Sequence, residues 1–229
     1  MRMIAEACSI CDVMIEGMLN VLRPGMYETQ VAQWGDAIAS ELGVETHGFD
    51  VMVCAGEDNR TLIGRAMNRR INEGDCVMIG VAPRRDGLTS CERVSVVCVD
   101  DPRKITPEQK YWFDFVEGAY RVGLDEYIRV AENNLPAYLQ EKALVDYFAA
   151  RSDEVSKRYG KKIDMSMQKP YTGTHNDVAV RGYGNFWNDI VIPGLDYILV
   201  EKTLGKYGKH VEVLNKLPIN VQHLVGMNF

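Results

Sequence analysis

The sequence predicts an α+β fold. Three observations point there: helical apolar periodicity at the start of the chain, β-prone runs between glycine-bearing turns after it, and a second round of helices followed by strands. Helices and strands do not alternate one by one, so a parallel β-α-β sheet is not expected.

Residues 3–22 read as an amphipathic helix with Ile4, Cys8, Cys11, Ile15, Leu19 and Leu22 on one stripe. Arg23-Pro24-Gly25 ends it. A second helix spans 28–42, with Gly43 in the C′ position. Runs at 51–54, 76–82 and 93–99 read as strands. The turn Asn72-Glu73-Gly74-Asp75 opens the second run, and Asp86-Gly87 makes a hairpin turn between the second and third. Thr106-Pro107-Glu108-Gln109 is a helix start, with Thr as N-cap, Pro at N1 and Gln at N3. That helix should run from 107 to about 132, and Pro136 opens another through Ala150. After Gly160 the pattern turns to strands, around 163–167, 177–180, 195–200 and 210–214.

Composition bounds the partners. At 229 residues and 46% hydrophobic, the chain can bury a core, and 1–229 reads as one domain. Its 26 basic and 32 acidic residues give a net charge of −6 with no basic block, so no nucleic-acid partner is expected. No run of 18 apolar residues exists, so no membrane partner is expected. The first residues mix acids with apolar side chains, unlike a secretory signal, which implies a cytoplasmic location. The six cysteines should then be reduced. Cys8 and Cys11 form a C-x-x-C, but they lie on the helical stripe and no second pair stands at zinc-ribbon spacing, so they read as core thiols. Glycine-rich nucleotide loops, H-E-x-x-H and G-x-S-x-G are all absent. Four histidines make a three-histidine metal site unexpected.

Four segments together resemble a known family. They are Pro24-Gly25-Met26-Tyr27-Glu28, Ala55-Gly56-Glu57-Asp58-Asn59, the stretch Arg70-Ile71-Asn72-Glu73-Gly74-Asp75-Cys76-Val77-Met78-Ile79, and Asp86-Gly87-Leu88-Thr89-Ser90. In order and spacing they are similar to the motifs of the pita-bread fold of methionine aminopeptidases, Xaa-Pro peptidases and creatinase, an M24-like group. The resemblance implies two pseudo-symmetric αβ halves around a curved antiparallel sheet. It also implies a homodimer, and a small peptide or other small molecule as ligand.

The active peptidases of that family hold two metal ions with two Asp, one His and two Glu, because paired divalent cations need several carboxylates. Carried over residue by residue, the first Asp position is Gly80 and the second is Cys91, while the substrate-contacting histidine before them is Ile63. None of these can bind a hard cation. His175 in Gly173-Thr174-His175 stands at the ligand histidine, and Glu201 and Glu212 stand at the two glutamates. The resemblance therefore implies a divergent member lacking most metal ligands. No metal cofactor is expected, or at most one weakly held divalent ion on His175, Glu201 and Glu212. Ile63, Gly80 and Cys91 would line the cleft.

Three functions follow from that pattern. One is metal-independent hydrolysis of a C–N bond in a small peptide, amide or guanidino compound, with His175, Glu201 or Glu212 as the base. Creatinase is the family precedent, although its chemistry leans on a histidine where Ile63 stands. Cys91 reads as an inert filler, since a nucleophilic role would need His175 beside it. The second is a non-catalytic peptide- or protein-binding module. The third, a working metallo-aminopeptidase, would need a different register at Gly80 and Cys91. A one-residue slip would bring Glu92 into the pocket but flip every following strand residue, unless a bulge absorbed it.

Overall fold

The structure, a computed structural model, describes residues 2–59, 64–133, 135–136, 138–167, 185–190 and 198–203. Helix α1 (Arg2–Val21) forms, and Cys8, Cys11 and Ile15 of the expected stripe are fully buried, with Met14 and Met18 buried beside them. Gly25, at φ 94°, turns the chain toward α2 (Glu28–Glu41). The Gln30 side chain accepts the Tyr27 N–H at 2.8 Å and caps that helix. The two helices cross closely at Gly35, where a Cβ would lie 2.7 Å from Met18 Sδ.

These helices cover one face of a five-stranded antiparallel sheet. Its order is β2 (Met52–Ala55), β3 (Cys76–Val81), β6 (Glu92–Val97), β8 (Ile198–Thr203) and β7 (Asn185–Ile190). Alternation sorts β2, β3 and β6 into two faces. Val53, Ala55, Val77, Ile79, Val81 and Val94 join the α1–α2 core. Met52, Cys54 and Met78 form a separate cluster with Phe49 on the other side, called the inner face below.

The hairpin at Asp86-Gly87 forms as expected, with φ 52° and 77° at the two turn residues, a left-handed pair suited to a two-residue turn. Its tip does not extend the main sheet. β4 (Pro83–Arg85) and β5 (Leu88–Thr89) bend away and pair with β1 (Thr46–His47) as a small second sheet. Pro83 stands at the break and brings no N–H to a ladder.

The second half opens with α3 (Pro107–Glu132), where Thr106 Oγ1 accepts the Gln109 N–H at 3.1 Å and Gln109 Oε1 accepts the Thr106 N–H at 3.0 Å. That is the expected capping box. α4 (Tyr138–Ala149) and α5 (Ser152–Tyr159) pack on α3 around Trp112, Phe115, Leu144, Tyr147 and Phe148. At Gly118 a Cβ would lie 2.1 Å from the Tyr147 hydroxyl, which donates to the Phe115 carbonyl at 2.8 Å.

Several expectations need correction or lie elsewhere. Residues 163–167 are not a strand. Ser156 Oγ and Ser152 Oγ accept the N–H groups of Ile163 (2.8 Å) and Met165 (2.9 Å), taking those two donors from any ladder. Ile163 and Met165 instead plug the aromatic core, and Met165–Met167 forms a 3-10 turn. The strand read at 195–200 is observed three residues later, at Ile198–Thr203. Helix α5 and strands β1, β4, β5 and β7 were not expected as separate elements. The strands read at 177–180 and 210–214 lie outside the described residues.

The motifs of the first half meet at one buried carboxylate. Glu28 Oε1 accepts the Ala55 N–H at 2.7 Å, and Oε2 accepts the Met67 N–H at 3.0 Å. Glu28 itself is fully buried. It joins the start of α2 to the end of β2 and to the segment before β3. Gly56 follows at φ 54°, where a Cβ would lie 2.7 Å from Arg69 Nη2. Glu28→Ala leaves two buried donors without their acceptor and should lower the unfolding free energy by about 3 kcal/mol. Urea denaturation of the two proteins measures this, and Glu28→Gln, which keeps one acceptor oxygen, should fall between them.

Candidate functional site on the inner face of the sheet

The register of β3 determines what stands on the inner face. Gly80 lies opposite Met52 on β2 and opposite Arg93 on β6. A Cβ at Gly80 would lie 2.5 Å from Met52 Cε and 3.2 Å from Arg93 Cγ. The space beside position 80 is thus filled by a thioether and the stem of an arginine. Arg93 is 6% exposed, and its guanidinium carbon sits 5.3 Å from the centre of the Phe49 ring. That distance suits a cation–π contact.

Glu92 goes the other way. It pairs with Val81, on the face covered by α1, and is fully buried. Its carboxyl shares a hydrogen bond with Asp12 of α1, and burial, then the Asp12 charge, hold it well above the usual carboxylate range. Glu92 therefore holds its proton to higher pH than an exposed carboxylate does, and it does not face the Gly80 side. The hairpin counts through from its turn without a bulge, so the one-residue slip does not occur.

The thiols near Glu92 are equally quiet. Burial pushes the Cys8 thiol up to about 12, with Ser90 donating to its sulfur at 3.5 Å, and raises Cys11 as well. All six cysteines are free. Cys8 and Cys11 are core thiols, as their helical spacing implied.

The other expected site residues are placed unevenly. Cys91 is half-buried, between β5 and β6. Glu201 lies on β8, and the pairing of Val94 with Lys202 sets it in register with Ser95 of β6. The second-half strand thereby joins the sheet that carries Gly80. Ile63, His175 and Glu212 lie outside the described residues. Among the described residues, no three His, Cys, Asp or Glu side chains are grouped to hold a metal ion.

Sequence reasoning missed Arg93 and Phe49. Arg93 was legible in principle: counting outward from the two-residue turn at Asp86-Gly87 puts it opposite Gly80. Phe49 carried no such signal.

A two-helix layer on an antiparallel sheet, with its glycine-marked turns and Glu28, defines the class of α+β domain that the four motifs resemble. The sequence pattern of metallopeptidase family M24 matches residues 2–176, and the chain belongs to that family. No curated protein matches it. Solved structures with the same fold include the Xaa-Pro dipeptidase from Bacillus anthracis, at 17% identity and TM-score 0.61, over 87% of this chain and 56% of that one. The prolidase from Pyrococcus horikoshii OT3 aligns at 18% identity and TM-score 0.60, over 88% and 57%. The aminopeptidase PepP of Pseudomonas aeruginosa aligns at 20% identity and TM-score 0.59, over 68% and 34%. The chain thus spans between a third and somewhat over half of their lengths. The fold is the pita-bread fold. No described helix is long and apolar enough to cross a membrane.

Because the fold raises the Glu92 carboxyl above its ordinary value, its stabilising contribution is complete below the ordinary carboxylate value and is lost as pH rises through the raised one. Glu92→Gln keeps a neutral donor beside Asp12 and removes that dependence. Its melting temperature should exceed that of the wild type by a few degrees at pH 8, with the gap closing toward pH 4.5. Thermal denaturation across that range measures it.

Proposed function

We propose that this domain binds a small peptide or related amide on the inner face of its sheet without the family's dinuclear metal centre. The carrying observation is the crowding at Gly80, the position equated with the first aspartate. Met52 and Arg93 fill the space a carboxylate would need, and glycine itself offers no ligand atom. Cys91, at the second aspartate position, offers a soft sulfur in place of a hard oxygen.

Hydrolysis of a C–N bond is the reaction class this scaffold would run. With the aspartates gone, activation of water falls to a side chain, and His175, Glu201 and Glu212 are the candidate bases. A non-catalytic peptide- or protein-binding module is the alternative, supported by the same crowding. The free state of all six cysteines supports a reducing, cytoplasmic compartment. A homodimer is the assembly the resemblance implies.

The test is the metal content of the purified protein by elemental mass spectrometry, after incubation with manganese, cobalt, iron and zinc and desalting. No ion, or at most one per chain, is expected. Two ions per chain would overturn the reading and restore a metallo-aminopeptidase. Hydrolysis of Xaa-Pro dipeptides with a chelator present, abolished by His175→Ala, separates the enzyme from the binding module.

A further inference from the structure

The structure assigns to Arg93 the place of the metal: we propose that its guanidinium is the resident cation of the inner face and keeps divalent ions out of it. This rests on the reading that Gly80 and Cys91 stand at the aspartate positions, and it adds what replaced the ions.

Gly80 and Arg93 are direct cross-strand partners, so their side chains share one face of the sheet. The built Cβ at position 80 falls 3.2 Å from Arg93 Cγ and 3.6 Å from Cδ. The arginine stem therefore runs through the space that opens only because position 80 is glycine. Arg93 is buried, and the aromatic face of Phe49 lies beneath its charge. Met52, Cys54 and Met78 pack with Phe49 on that face, and none of the three brings an oxygen ligand.

The chemistry of the two cations differs in kind. A guanidinium stays charged at every pH at which the protein folds, and it only donates hydrogen bonds. It repels a divalent ion brought alongside. A carboxylate introduced at position 80 would meet it directly and be taken up in a charge-assisted pair before any metal could use it. Restoring the aspartates alone should therefore not restore metal binding.

The test compares Mn2+ binding, read as free Mn2+ by electron paramagnetic resonance, in four full-length proteins. These are the wild type, Gly80→Asp/Cys91→Asp, and that pair combined with either Arg93→Thr or Arg93→Lys. Circular dichroism and melting confirm that each is folded. The aspartate pair alone should bind no better than the wild type. Adding Arg93→Thr should tighten binding by roughly tenfold or more, because it removes the charge and the bulk together. Adding Arg93→Lys, which keeps the charge, should not. Equal binding with and without Arg93 overturns the assignment, as does a gain with lysine matching that with threonine. Failure of the underlying reading shows separately, as two ions per chain in the wild type.

Discussion

The two-residue turn at Asp86-Gly87 is the constraint on which the rest of the sheet depends. Both residues sit at positive φ, which closes the hairpin with no spare residue. Every pairing down the hairpin is then determined, from Arg85 with Leu88 at the tip to Cys76 with Val97 at the far end. Because side chains alternate with period two, this count decides which residues enter the α1–α2 core and which face inward. The break at Ala82 and Pro83 lets the tip leave for β1 without altering the count below it.

Consecutive residues Glu92 and Arg93 show what that alternation does to charge. In a loop such a pair would meet. On β6 they are sent to opposite sides of the sheet, both buried. Glu92 meets Asp12, and burial favours its neutral form. Arg93 stays charged on the inner face, over Phe49. The sheet thus keeps one cation on the inner face, opposite the side on which α1 and α2 pack.

Glu28 gives the first half its second tie. A carboxylate that accepts two backbone N–H groups from distant segments replaces a missing strand neighbour at the end of β2. This is the physical content of the glutamate in the motif after Pro24-Gly25. The glycine at 56 and the Gly74-Asp75 turn serve the same corner, with Asp75 Oδ2 accepting the Asn72 N–H at 2.8 Å. The motifs that carried the family resemblance therefore hold backbone geometry.

The sequence by itself determined the α+β class, α1, α2, α3, α4 and the strands β2, β3 and β6, because apolar periodicity, Pro and Gly stops and the Thr106 capping box are local signals. It also determined that Gly80 and Cys91 carry no hard ligand, a matter of residue type alone. Tertiary structure decided the rest. The strand pattern at 163–167 was overridden by two serine hydroxyls of α5 and by the demand of the aromatic core for Ile163 and Met165. The tip of the hairpin became a separate sheet because β1 lay within reach. Arg93 became the inner-face cation only once β3 and β6 were side by side, since proximity across a sheet is set by register and not by distance along the chain.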